Sequence, residues 1–162
     1  MTTAGGARAV IQSRIEAAGV LVGANPLPLR FPNKEDDSLG NVALPDTPSP
    51  FAYIEFNNEG SRGGPAAFGG GRGQNLYRNT GRIEGFVFVP KGEGLDQAES
   101  LAEQIAALFR SYRDSDISCF DASVFAGGDG SALKPSGMSN AVDLGAYFYA
   151  AFEVSLFFEQ IG

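Results

Sequence analysis

The sequence predicts one α+β domain, with two main helices packed on one face of a mainly antiparallel sheet of four or more strands. Three observations support this fold. The chain has 162 residues, which is the size of a single domain. Hydrophobic residues make up 43% of it, including 13 Phe and 5 Tyr, so an aromatic core is available. Two pairs of alternating segments each follow a helical segment, which gives the order α-β-β-α-β-β and not strict βαβ alternation.

The first helix is predicted over residues 3–18. Thr2 or Thr3 can cap its start, and Gly19 lies just past its end. Its apolar face consists of Ala7, Val10, Ile11, Ile15 and Ala18.

Residues 24–50 contain six prolines and the charged run Lys34-Glu35-Asp36-Asp37. Proline at this density excludes a long helix or a central strand. We therefore expect an extended connection along the surface. Within it, a short edge strand is predicted where three apolar residues alternate: Leu27, Leu29 and Phe31.

A long glycine-rich β-hairpin is predicted next. Residues 51–57 and 79–90 alternate as strands, and their closeness in sequence favours antiparallel pairing. Residues 58–78 between them are rich in glycine. We expect this segment to be a flexible hairpin tip, because glycine buries little surface and connections longer than about 12–15 residues are usually functional or disordered.

The second helix is predicted from Asp96, with a capping box formed by Asp96 and Glu99 and with Leu95 before it. Basic residues in its last turn, Arg110 and Arg113, suit the negative end of the helix dipole. Its apolar positions are Ala98, Leu101, Ala102, Ile105, Leu108, Phe109 and Tyr112.

The remaining segments are predicted to be a strand over residues 117–125, a second loop over 126–139 and a long last strand from about 141 to 159. A strand of that length exceeds the usual 3–10 residues. We therefore expect a bulge or bend in it, at Gly145 or at Ala150 and Ala151.

The composition argues against several kinds of catalytic, covalent and binding function. The chain has no histidine, one cysteine, a net charge of -7 and a pI of about 4.5. A Ser-His-Asp triad is therefore excluded, no disulfide can form within the chain, and binding to nucleic acid without sequence preference is disfavoured. Cys119, on a predicted strand, is expected to be a buried, inert thiol.

No motif for a cofactor or metal is present. The glycine-rich segment lacks the Lys-Ser/Thr of a phosphate-binding loop and leads into a strand and not a helix. The consecutive acidic residues at positions 35–37 do not have calcium-loop spacing, so we interpret them as a solvated turn. We predict no catalytic, cofactor-binding or metal-binding residues and therefore no enzyme.

The unusual residues point to contacts with other subunits. Arg62, Phe68, Arg72 and Arg78 lie in or beside the glycine-rich segment, which can become ordered against a neighbour. Tyr147 and Tyr149 lie on the more polar face of the last strand. Tyrosines there indicate either a subunit interface or a face that a helix of the same chain covers.

The order of segments resembles that of tail terminator proteins of long-tailed bacteriophages and phage-like particles. An opening helix precedes PLPLRFPNKEDD, PFAYIEFNNEG and a glycine-rich flap, and two closing strands follow GRIEGFVFVPKGEGLDQAESLAEQIAALFR. That last segment, residues 81–110, is the most characteristic part. The resemblance covers nearly the whole chain, 1–162, but it rests on the order of elements and not on a chemical signature.

This resemblance implies a structural virion protein that forms a ring, of six subunits in the family, at the head-proximal end of the tail. Such a ring caps the tail tube, stops its polymerisation and joins it to the head-tail connector. Its partners would be copies of itself, the tail tube protein and the connector protein, with DNA passing through the lumen without specific binding.

Two other interpretations stay open: a tail-tube or neck connector subunit of the same assembly, and a small enzyme or ligand-binding domain. No apolar run reaches the ~18 residues that span a membrane, and residues 1–14 lack the features of a signal peptide. We therefore expect assembly in the host cytoplasm and a final location in the virion, without a membrane.

Overall fold

A computed structural model describes residues 2–32, 44, 47–60, 67–69, 73–135, 138 and 143–161. The described helices are α1 (Ala4–Ala18), α2 (Leu95–Ala107) and a short 3-10 helix (Gly130–Ala132). The described strands are β1 (Leu21–Val22), β2 (Asn25–Pro26), β3 (Leu29–Arg30), β4 (Phe51–Gly60), β5 (Ala67–Phe68), β6 (Leu76–Pro90), β7 (Ile117–Phe125) and β8 (Tyr147–Ile161).

The main sheet has the strand order β3-β4-β6-β8-β7, with β5 beside β6. All of its pairs are antiparallel except that of β3 with β4. The predicted α+β class and mainly antiparallel sheet are therefore confirmed. The two-residue strand β3 lies at the edge of this sheet, within the segment predicted to form a short edge strand. The observed order also includes β1, β2 and β5, which the predicted order lacks, and β1 and β2 form a separate two-stranded sheet. Residues 61–66 and 70–72 of the glycine-rich segment lie outside the described residues, so the long glycine-rich hairpin stays a prediction.

Helix α1 begins and ends as the sequence predicts. The Thr3 hydroxyl accepts a hydrogen bond from the Gly6 N–H at 3.2 Å, which satisfies one of the free donors of the first turn. Gly19 ends the helix in the left-handed conformation, with φ 59°. The helix buries Ala7, Ile11 and Ile15 against the sheet.

Helix α2 differs from the prediction at both of its ends. It begins one residue earlier than predicted. Its N-cap is Gly94, at φ 91°, and no side chain caps the first turn. The predicted capping box is therefore wrong, because Asp96 already lies inside the first turn. The helix also ends at Ala107. The backbone then tightens to hydrogen bonds three residues apart, so Arg110 and Arg113 follow the helix and do not lie in its last turn.

Two glycines of β6 make room for aromatic rings on the helix-covered face. A Cβ atom on Gly85 would lie 2.0 Å from Cζ of Phe152, and one on Gly81 would lie 2.6 Å from Cε2 of Phe56. Each ring therefore lies directly against the strand backbone. The core on this face is formed by both helices and by alternate residues of β4, β6, β7 and β8.

The last strand is shorter and more regular than predicted. It begins at Tyr147, because residues 145–146 form a turn before it, and it pairs with β6 over 15 consecutive residues without a register shift. Of the two expected positions for a bulge or bend, Gly145 lies in this turn, whereas the expected bulge at Ala150 and Ala151 is wrong. The irregularity lies in the neighbouring strand β7, between Cys119 and Ala122.

Candidate interaction surface

The sheet face opposite to the helices, here called the outer face, carries the unusual side chains. One end of it is aromatic and covered. Its buried cluster includes Phe51 and Phe88, whose stacked rings are 4.7 Å apart. The rest of this cluster consists of Tyr53, Met138, Leu144 and Tyr147, with Leu44, Phe86, Leu133 and Tyr149 packed against it.

The two tyrosines of the predicted interface differ in exposure. Tyr147 is only 1% exposed, because its ring packs edge-on against Phe51 and the segment before β8 covers it. Its prediction as an interface residue is therefore wrong, and the cover is formed by loops and not by a helix. Tyr149 is half-buried, and its backbone N–H donates to the carbonyl of Gly128 at 3.0 Å.

The loop after β7 is held closely against β8. A Cβ atom on Gly127 would lie 1.9 Å from the carbonyl oxygen of Tyr149, so only glycine permits this approach. Lys91 Nζ binds Asp129 Oδ2 at 2.6 Å, and this contact, with the Ser131 N–H, lowers the pKa of Asp129 to about 2. The described part of the second loop is therefore fixed to the sheet.

A row of three glutamates crosses the middle of the outer face. Glu55 of β4 is opposite Glu84 of β6, which is opposite Glu153 of β8. Burial raises the pKa of Glu84; Arg82 opposes this shift, whereas the neighbouring carboxylates of Glu55, Glu153 and Glu59 add to it. Like charges directly opposite one another in a sheet are destabilising.

Arg82 partly neutralises this glutamate row. Its guanidinium nitrogens lie 3.2 Å from Glu59, 3.4 Å from Glu153 and 3.8 Å from Glu84. All four side chains remain 24–36% exposed. The centre of the outer face is therefore a partly hydrated charge network with an excess of negative charge.

Beyond the glutamate row lies an exposed aromatic group, here called the Phe120 patch, formed by Phe120, Phe157 and Arg78. Phe120 is 50% exposed, and its ring centroid is 5.1 Å from that of Phe157. The Arg78 guanidinium carbon lies 4.4 Å from the centroid of Phe157, and its Nε donates to Glu159 at 3.0 Å. The register of β6, β7 and β8 brings these residues together.

The other predicted interface residues lie largely outside the described part of the chain. Arg62 and Arg72 are in the parts of the glycine-rich segment that lie outside the described residues. Of Phe68 only the backbone is described, as part of β5 opposite Leu76. The structure therefore joins Arg78 to an exposed patch but leaves the predicted roles of Arg62, Arg72 and Phe68 as predictions.

Two groups that sequence analysis did not identify, the glutamate row and Phe120 with Phe157, depend on register. The alternation of each strand placed its residues on the correct face. It did not reveal that Glu55, Glu84 and Glu153 come from positions that lie side by side. These groups can be identified only when the pairing of the strands is known, and sequence analysis did not determine that pairing.

The described residues offer little for chemistry. No three acidic, histidine or cysteine side chains within the described ranges gather closely enough to hold a metal ion. Burial and the charge of Asp114 raise the pKa of Cys119 to about 12, which keeps this thiol protonated at neutral pH. None of the described helices has the length and hydrophobicity of a membrane span.

A shallow groove of about 630 Å³ lies between α1 and the turn that follows α2. Arg14 forms its polar side, with its guanidinium carbon 3.5 Å from the ring centroid of Tyr112 and its Nε donating to the Leu108 carbonyl at 2.8 Å. The rest of the lining consists of Ser13 and of apolar side chains: Ala9, Val10, Ala17, Ala18 and Leu108.

Comparison with known proteins supports the fold. Seven chains of solved structures are similar to this chain. One of them covers 100% of this chain and 99% of its own length, with a TM-score of 0.56 and 15% sequence identity; at this identity the likeness establishes the fold alone. No protein-family model and no curated protein matches the chain.

Proposed function

We propose that this chain is a structural virion protein, a phage tail terminator that forms a ring, caps the tail tube and joins it to the head-tail connector. The observation that carries the proposal is the Phe120 patch. A half-exposed phenylalanine packed on a second aromatic ring beside an arginine is typical of protein interfaces, in which aromatic residues and arginine are enriched.

The resemblance in the order of elements supports the choice of assembly. The predicted glycine-rich hairpin would add a second contact segment, and the paired strands β4 and β6 lead into it. A ring requires two different surfaces on each subunit that meet head to tail and close. The Phe120 patch, on the outer face, provides one of these surfaces.

The first experiment measures association of the purified chain by sedimentation velocity and negative-stain microscopy. We expect discrete rings. Phe120→Ser should shift the chain to smaller species without changing its thermal stability, because Phe120 is half-exposed. Leu21→Ser is the matched control: Leu21 is also 50% exposed but lies in the separate two-stranded sheet, and this variant should still form rings.

Other outcomes separate the alternatives. Open polymers of unlimited length would favour a tail-tube subunit, whereas a wild-type chain that stays monomeric at high concentration would count against self-assembly altogether. In particles that lack the chain, a terminator predicts abnormally long tails in electron micrographs. Tails of normal length would refute termination.

A further inference from the structure

Within the described part of the chain, three buried donor groups at the aromatic end of the outer face have no hydrogen-bond acceptor. They are Nε and Nη1 of Arg30 and the hydroxyl of Tyr147. Tyr147 is only 1% exposed. Buried donors are rarely left unpaired in folded proteins, because the loss of their hydration is costly.

The fold brings Arg30 and Tyr147 to the same ring, that of Phe51. Arg30 of β3 is the register partner of Tyr53 of β4, so both project from the same face of neighbouring strands. The Arg30 guanidinium carbon lies 5.6 Å from the centroid of Phe51. The ring of Tyr147 meets Phe51 edge-on, with 5.4 Å between centroids.

The chemistry of this group favours an anion. The guanidinium of Arg30 is a cation that presents its N–H groups in one plane. A contact with the face of Phe51 stabilises the positive charge, but it provides no acceptor for those N–H groups.

Tyr147 adds a hydroxyl donor. Burial raises the pKa of Tyr147, while the Ser49 backbone N–H and the Arg30 charge oppose the shift. The neighbouring hydroxyl of Tyr53 is already engaged within the chain: burial, the Glu55 charge and a hydrogen bond to the Glu55 carboxylate raise the pKa of Tyr53. Both hydroxyls therefore keep their protons at neutral pH.

We propose that Arg30 and Tyr147 form a binding site for a small oxyanion, a carboxylate or a phosphate. The forked N–H groups of arginine match two oxygens of such a group, and the Tyr147 hydroxyl can donate to the same group. Arg30 is only half-buried as a residue, which gives the anion a path from the surface. The oxyanion is either a free ion or a carboxylate of a second copy of the chain, and the site does not depend on the proposed ring.

Thermal unfolding tests the site. Wild-type protein is compared in inorganic phosphate, in acetate and in chloride at equal ionic strength. A free anion at ten times its Kd should raise Tm by about 3–6 °C over chloride. Arg30→Met and Tyr147→Phe should each abolish this rise, whereas Arg113→Met, at an exposed arginine, should retain it.

Sedimentation velocity of the same variants distinguishes the two sources of the oxyanion. If Arg30→Met weakens association in chloride while Arg113→Met does not, the carboxylate comes from a second copy. If only the anion-dependent rise in Tm is lost, the ligand is a free ion. The proposal is wrong if Arg30→Met and Tyr147→Phe behave as wild type in both measurements. Tyr147→Phe keeps the test decisive if Arg30→Met does not fold.

Discussion

Replacing Gly85 by alanine tests the packing that holds the sheet to the helices. The new Cβ would lie 2.0 Å from Cζ and 2.1 Å from Cε1 of Phe152. Carbon atoms in contact are ~3.5–4.0 Å apart, so the ring must move by about 1.5 Å. Phe152 is 1% exposed, and the surrounding core leaves it little freedom to move.

The expected loss follows from two opposing effects. Overpacking a core costs about 1–3 kcal/mol, while replacing glycine with alanine in the unfolded chain returns about 0.4–1 kcal/mol. We therefore expect Gly85→Ala to lower the free energy of unfolding by about 1–2 kcal/mol, which lowers Tm by about 2–8 °C for a domain of this size. Urea unfolding followed by circular dichroism measures this change.

A double-mutant cycle assigns the loss to the ring. Phe152→Leu removes the clashing atoms, so in that background Gly85→Ala should be neutral or stabilising by about 0.5 kcal/mol, which gives a coupling of about 1.5–2.5 kcal/mol. Gly128→Ala is the control, because a Cβ there meets nothing within 4 Å. Additive effects of the two substitutions, or a Gly85→Ala variant as stable as wild type, would refute the packing argument.

Two further predictions concern titratable groups. Because the pKa of Glu84 is raised in the folded state, ionisation of Glu84 destabilises the fold as pH rises through that pKa. At pH 7, Glu84→Gln should therefore raise the free energy of unfolding by roughly 0.2–1 kcal/mol and raise Tm slightly. This advantage should disappear below about pH 4. An unchanged difference in Tm from pH 4 to pH 7 would contradict the shift. The Cys119 thiol has its pKa raised to about 12. In the folded chain at pH 8 it should therefore react with a thiol reagent about a thousand-fold more slowly than free cysteine, and after unfolding in guanidinium it should react at the normal rate. Fast reaction of the folded chain would show that the thiol is accessible.

Local patterns predicted the faces of the strands correctly. The alternation in β4 and β6 separated Ile83, Val87 and Val89, which pack under the helices, from Phe88, which packs on the outer face. The capping signals of α1 were also sufficient, because Thr3 and Gly19 act on adjacent backbone atoms. At α2 a similar pattern led to a wrong prediction, because the N-cap is Gly94 and not Asp96, the acidic residue that was expected to cap the helix.

The sequence by itself determined the α+β class, the two helices and the alternating faces of the main strands, because these depend on neighbours within a few positions. Only the tertiary structure decided which side chains lie side by side. Strand register placed Glu84 between two other glutamates and Phe120 against Phe157. Tyr147 was expected at an interface, but it is buried by a loop of its own chain, since burial depends on contacts between segments far apart in sequence.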